Sequence, residues 1–160
     1  MNIFYLDKSA VISAQYMCDK HVVKMILESA QLLCTAHHLC PTDAVRPEKF
    51  YKKTHYNHPS AVWARASADN YLWLTAHAKA LLSEYTYRYD KQHASTSVIM
   101  WCSANIPDIP NGKLTEMPQC MPDEYKCKDS VIAYRNYYNG AKSHLHNWKR
   151  RQVPDWITTI

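Results

Sequence analysis

Apolar and polar positions recur along this chain at three-to-four-residue intervals, the period of an amphipathic helix, and no stretch keeps the two-residue alternation of a half-buried strand. From Val22 onward, Val22, Ile26, Ala30, Leu33 and His37 hold that spacing and Val23 and Leu27 widen the stripe, which predicts a core-facing helix. Ahead of it, Asp7 is placed to cap a first helix through Ala10, Val11, Ala14 and Met17, and Asp19 to cap or sit within the next helical stretch. After Asn57-His58-Pro59, Pro59 suits the first turn of a helix continuing to about Tyr89, with Tyr71, Leu74, Ala78, Leu81, Leu82, Tyr85 and Tyr89 as its apolar stripe. Roughly thirty residues would span ~45 Å, too long for so small a chain, so a bend or break is expected. A last helix is expected from about Ser130 to Trp148, with Val131, Tyr134, Tyr138, Leu145 and Trp148 on one side and Trp156 tacking the tail down.

Between these helices, Pro41 to Pro47 reads as a connector, and Ile106 to Pro122, carrying Pro107, Pro110, Pro118 and Pro122 around Asn111-Gly112, as an irregular connection. The expected fold is all-α: a compact single-domain helical bundle with irregular Pro-rich connections. Only two glycines are present, Gly112 and Gly140, which disfavours hairpin-rich β folds. At 160 residues the chain is large enough to bury a core without disulfide or metal staples. The six scattered cysteines form no C-x-x-C pair and read as reduced, mostly core residues. No stretch approaches a membrane span, and the first residues lack the flank and apolar run of a signal peptide, so a cytoplasmic protein without membrane contact is expected.

Charge is unevenly distributed. The net charge is +5, yet Lys126 to Arg151 alone holds seven basic residues and one acid, Asp129. That segment interleaves Arg135, Lys142, Lys149, Arg150 and Arg151 with Tyr134, Tyr137, Tyr138 and Trp148, offering phosphate contacts and stacking faces together. DNA is the partner this implies. Tyr137 is the better candidate for stacking, because Tyr138 shares the apolar stripe with Tyr134.

On the Val22 helix, His21, Lys24, Glu28, Gln31 and Thr35 follow three-to-four spacing and share one face. A solvated face is the plain reading, but His, Lys and Glu within two turns also form a set able to move protons and contact phosphate. Asn57-His58-Pro59 is either ordinary helix-start sequence or a substrate contact through Asn57 and His58. Glu84, Tyr87, Arg88 and His93 are expected to form an internal ion pair or a surface cluster. Among nine histidines only His37-His38 and His144-x-His146 lie close, and no zinc motif or Gly-rich phosphate loop occurs, so neither metal nor cofactor is expected.

The run Ser13-Ala14, Asp19, Lys24, Glu28, Gln31-Leu32, Asn57-His58-Pro59, Trp63, Tyr71 and Leu74 resembles the cellular branch of the pyrimidine-dimer DNA glycosylases. Asp19, His21 and Glu28, with the aromatic-basic run Tyr134-Arg135-Asn136-Tyr137-Tyr138-Asn139-Gly140, resemble the phage branch of the same family. Leu27 and Gln31 stand where that branch has arginines. The chain also resembles other tailed-phage proteins, which would place it in the host cytoplasm.

The resemblance implies a helical enzyme in which an N-terminal amine attacks C1′ of a flipped nucleotide, forms an imine and cuts the strand by β-elimination with help from a helix glutamate. Met1 and Glu28 would take those roles, with His21 and Lys24 beside them and Gln31, Asn57 and His58 contacting DNA. Asn2 is large for removal of the initiator Met, so the amine is expected to belong to Met1. An α-amine ordinarily titrates near ~7.8 against ~10.4 for lysine, so it is the more available nucleophile at neutral pH. A different base-modifying enzyme on the same scaffold and a non-catalytic nucleic-acid-binding module are the alternatives, and a monomer is favoured.

Overall fold

The computed structural model describes residues 1–158, and among them the regular structure is entirely helical. Six α-helices follow in order: α1 (Ala10–Tyr16), α2 (Asp19–Leu39), α3 (Pro59–Ala64), α4 (Ala68–Tyr89), α5 (Thr96–Ala104) and α6 (Ser130–Asn139), with single 3-10 turns at Asp123–Tyr125 and Ser143–Leu145. The two long helices, α2 and α4, pack together at the centre; α1 and α5 also lie against α4, and α3 against α2. One buried cluster runs from Ile3, Phe4 and Leu6 through α2, α4 and α5 to Tyr134, Tyr138 and Trp148. Cys18, Cys34 and Cys102 are buried, Cys40 and Cys120 half-buried and Cys127 exposed, all as free thiols. Fewer of them are core than the sequence suggests. No described helix is long and apolar enough to cross a membrane.

The α2 stripe lies inward as its spacing requires, with Val22, Ile26, Ala30, Leu33 and His37 all buried. Val23 and Leu27 are 40% exposed, so they flank the stripe instead of widening it. The first helix is capped by Ser9, whose Oγ accepts from Ile12 N–H, while Asp7 accepts from the N–H of Ser9 itself. The expected Pro59–Tyr89 helix breaks after Ala64. Ser67 turns the chain out at φ −151° and restarts it, its Oγ accepting from Asn70 N–H. The break is held by Asn70, whose side-chain amide donates to Trp63 O and Thr115 Oγ1 and accepts from Thr115 N–H, tying the irregular 105–122 segment to α4.

Two expectations fail for identifiable reasons. The last helix ends at Asn139, because Gly140 takes a non-helical backbone (φ −91°, ψ −101°) with the Tyr125 ring against it. A Cβ on Gly140 would sit 2.4 Å from that ring. Leu145 and Trp148 therefore reach the core from the segment after the helix, and Trp156 packs on Tyr16 and Tyr138. The α4 stripe also turns at its C-terminal end: after Tyr71, Leu74, Ala78 and Leu81, the next inward positions are Glu84 and Arg88, while Leu82 and Tyr85 lie half-buried.

Arg88 is wholly buried. Its guanidinium donates to Glu84 Oε2 (2.9 Å), Asp19 Oδ1 (2.9 Å), Met17 O (2.9 Å) and Gln15 O (3.0 Å). Asp19 in turn accepts from Asn147 Nδ2 and Lys149 N–H, and Glu84 from Arg151. This network joins α4 to the end of α1, the start of α2 and the C-terminal segment. Replacing Arg88 with Ala would leave two carboxylates buried with their main partner gone, a change expected to cost about 3–5 kcal/mol. Urea unfolding at constant slope should read that loss, and a loss below about 1 kcal/mol would show the carboxylates do not depend on the guanidinium.

Candidate active site

The first residues run as an extended strap across the N-terminal half of α2. Asn2 fixes the strap: its Oδ1 accepts from Ile3 and Phe4 N–H, its Nδ2 donates to Cys120 O (2.8 Å), and its backbone N–H donates to Glu28 Oε2 (3.0 Å). Phe4 is then forced into the left-handed region at φ 59°, a conformation costing a side-chain-bearing residue roughly 1–2 kcal/mol. The surroundings hold it there. Phe4 O accepts from Ser13 Oγ and Leu6 N–H, and the Phe4 ring stacks on His21 with centroids 4.1 Å apart.

These contacts enclose a polar cavity of about 230 Å³. Met1, Asn2 and Phe4 line it from the strap, His21, Lys24 and Glu28 from α2, and Cys120, Tyr137 and Lys142 from the C-terminal third. Spacing along α2 explains the middle set, since residues three, four and seven apart share one helix face. The outer end of that face is closed off: Thr35 is buried under Thr54, and Gln31 lies half-buried beyond the cavity lining. Lys24 Nζ stands 3.6 Å from Glu28 Oε1, but Lys24 is 69% exposed, so this pair contributes little to stability and leaves the lysine free to move.

His21 is the deepest polar group in the cavity wall. Burial, reinforced by Lys142, Lys24 and His144, pushes its pKa down to about 3. The ring is neutral near pH 7. Its Nδ1 lies 2.6 Å from Tyr138 Oη, which also accepts from Cys18 N–H. Burial pushes the Tyr138 phenol well above its usual range, so the phenol keeps its proton, with both His21 Nδ1 and Cys18 Sγ (3.7 Å) in reach as acceptors. His21 Nε2 has no hydrogen-bond partner among the described residues.

His58 ends the connector at the edge of this site. It caps α3, its Nδ1 accepting from Ser60 N–H (3.1 Å), with Pro59 in the first turn behind it. Its pKa is lowered by burial first, then by the N-terminal ammonium and His55, with Glu28 opposing. The terminal amine and Glu28 are both close enough to act on His58 electrostatically.

The remaining candidates separate. Tyr137 lines the cavity with Lys142 Nζ 5.1 Å above its ring, whereas Tyr138 is fully buried behind His21 and has no face left for a base. Asn57 is exposed beside His58. Arg135 is committed to Asp7 and Leu6 O. Lys149, Arg150 and Arg151 lie at the far end of α4, where Arg150 pairs with Asp90 and Arg151 with Glu84. They do not join the cavity. Asn2, Phe4 and Cys120 were missed by sequence reasoning; only the strap's proximity to the chain start hinted at Asn2. A larger groove of about 480 Å³ between α1 and α4 has mostly apolar walls; of its charged members Glu84 and Arg151 pair with each other and Lys79 donates to Ser103 Oγ. Among the described residues no three His, Cys, Asp or Glu side chains cluster as metal ligands.

An α-helical chain with a strap-covered polar cavity on its second helix is the frame in which the comparisons fall. The model of the pyrimidine dimer DNA glycosylase family matches residues 1–97, more than half of the chain. The chain belongs to that family, which makes DNA its partner. No curated protein and no solved structure matches it. The match takes in the strap, α2, α3 and α4, while Cys120, Tyr137 and Lys142 on the opposite wall lie beyond it.

The His21 assignment is directly measurable by nitrogen NMR of the ring. The expected result is a neutral ring with no protonation between pH 8 and about pH 4. A titration midpoint near the ordinary ~6.5 would contradict it.

Proposed function

We propose that the cavity is the active site of a DNA glycosylase with an associated strand-cutting step, in which an N-terminal nitrogen is the nucleophile and Glu28 the proton-transfer group. The observation that carries this reading is that Glu28 Oε2 accepts from the Asn2 backbone N–H (3.0 Å), one residue from the terminal amine, inside a cavity that Met1 also lines. A nucleophile and a base must serve one sugar, so their mutual reach is the first requirement. At about 230 Å³ the cavity is smaller than the roughly 300–1,000 Å³ typical of whole drug-sized ligands, which suits a sugar and its substituents.

In the proposed sequence the neutral amine attacks C1′, the base leaves with its bonding pair and takes up a proton, and the sugar opens as O4′ is protonated. The product is an imine. Glu28 then removes a proton from C2′, and the electrons released expel the 3′ phosphate. In its Nε2–H tautomer the neutral His21 ring is the donor for O4′ or the departing base. Lys24 and Lys142 balance the flanking phosphates. Reaching C1′ requires the nucleotide to leave the stack.

The nitrogen against Glu28 belongs to Asn2, and this favours a second form of the reading. While Met1 is attached that nitrogen is an amide, and the amine is Met1's; once Met1 is removed, the same nitrogen is the α-amine already in contact with Glu28. Intact mass distinguishes the two forms, since the mechanism requires a mature chain starting at residue 1 or 2.

Glu28→Gln keeps the shape and the contact with Asn2 but cannot take a proton. Strand cleavage of abasic duplex should fall by 10²-fold or more with DNA affinity within a few-fold of the parent. Full cleavage by this variant would remove Glu28 from the mechanism, and an unmodified chain that gives no borohydride-trapped adduct would leave a binding module.

A further inference from the structure

Ion pairs take up four of the seven basic residues between Lys126 and Arg151, Lys126 with Asp123 among them. They leave Lys128, Lys142 and Lys149 without one among the described residues, so the free positive charge is not confined to that segment. In the basic C-terminal segment Arg135, Arg150 and Arg151 each face a carboxylate, at 3.3, 2.9 and 2.6 Å. Residues 49–58, linking α2 to α3, hold three lysines, two histidines and no acid. Among the described residues none of those lysines makes an ion pair.

This connector has no helix or strand, yet its backbone is pinned along α2. Tyr51 O accepts from His38 Nε2 (2.9 Å), and Thr54 exchanges hydrogen bonds with Thr35 Oγ1 through both its N–H and its carbonyl (3.2 Å each). It therefore runs back along α2 toward the cavity and ends at His58, which senses both the terminal amine and Glu28. His55 sits in the left-handed region at φ 46°, and Tyr56 beyond it is 45% exposed. Lys52 and Lys53 are exposed, with Lys53 Nζ 4.9 Å over the Tyr56 ring. From Thr35 to Glu28 is seven residues of helix, about 10 Å, or roughly three nucleotide steps at ~3.4 Å per step.

We propose that this ribbon is a DNA-binding surface for the nucleotides flanking the reacting one: Lys52 and Lys53 contact backbone phosphates, and Tyr56 offers a stacking face to a base unstacked beside the opened site. The assignment rests on the reading that the cavity acts on DNA. A pinned backbone makes the cations cheap to hold in place, and unpaired lysines release counterions on binding, whereas a carboxylate-paired arginine must first give up its partner.

Binding is measured by fluorescence anisotropy across a salt series, using a duplex with a tetrahydrofuran abasic analogue that cannot form an imine. Lys52→Ala/Lys53→Ala is expected to weaken binding and lower the log–log salt slope by about 2. Tyr56→Ala is expected to weaken it roughly 5- to 100-fold with the slope unchanged. Arg150→Ala, its charge already matched by Asp90, should keep the parental slope. Thermal melting checks that each variant folds. At saturating abasic DNA the ribbon variants should trap the imine as the parent does. An unchanged slope in the double-lysine variant, or a slope lost in Arg150→Ala instead, overturns the proposal. A parent that binds with the expected slope pattern but traps no imine contradicts the catalytic reading and leaves the ribbon standing.

Discussion

Burying Arg88 is the constraint on which the rest of the structure depends. A guanidinium with no solvent contact is tolerable only if its donors are matched, and here the four matching groups come from residues 15–19 and from Glu84 on α4 itself. The carbonyls of Gln15 and Met17 fix where α1 ends, and Asp19 fixes where α2 begins. Through Asp19 and Glu84 the same charge draws in Asn147, Lys149 and Arg151. Cys18, which caps α2, makes no side-chain cap hydrogen bond, so the start of the helix is set by these tertiary contacts. His21, Lys24 and Glu28 occupy the first three turns after that point.

A second constraint acts from the other side of α2. The strap reaches Glu28 only because Phe4 accepts a left-handed backbone, and the stacking of Phe4 on His21 and its packing near Tyr134, Tyr137 and Tyr138 offset that strain. Local strain over-determined by packing is how a site keeps one geometry. Here it holds the Asn2 backbone N–H against the Glu28 carboxylate and covers the neutral His21 ring. Lys24 and Lys142 line the same cavity.

Much of the helical frame was legible because its periodicity is strong. The α2 stripe follows from spacing, the irregular connection from proline chemistry, and the break in the long helix from the length of its pattern against the size of the chain. Where the reading failed, a tertiary contact overrode a local pattern. Glu84 and Arg88 continue the α4 stripe at the correct spacing and are the internal ion pair that was one of two expectations for them. The choice against a surface cluster was not legible, since their burial depends on Asp19 some seventy residues away. The Tyr125 ring against Gly140 likewise ends α6 early.

The candidate site divides along the same line. Residues on one helix, His21, Lys24 and Glu28, could be grouped from spacing alone, and family resemblance brought in the chain start and His58. Asn2 and Cys120 could not be grouped, because a strap and a distant loop carry no periodic signal. Net charge misled most. It counted the whole C-terminal segment as free, whereas ion pairs take up Lys126, Arg135, Arg150 and Arg151 and leave Lys128, Lys142 and Lys149 open, as they leave the connector's three lysines.

The central claim is that the N-terminal amine is the nitrogen that reacts, with Glu28 as the group that moves the proton. Borohydride trapping on abasic DNA, followed by proteolysis and mass spectrometry of the adduct, locates the modified nitrogen. The account predicts the adduct on the N-terminal peptide, at the amine of Met1 or, with Met1 removed, of Asn2. An adduct on Lys24 or Lys142 would contradict it.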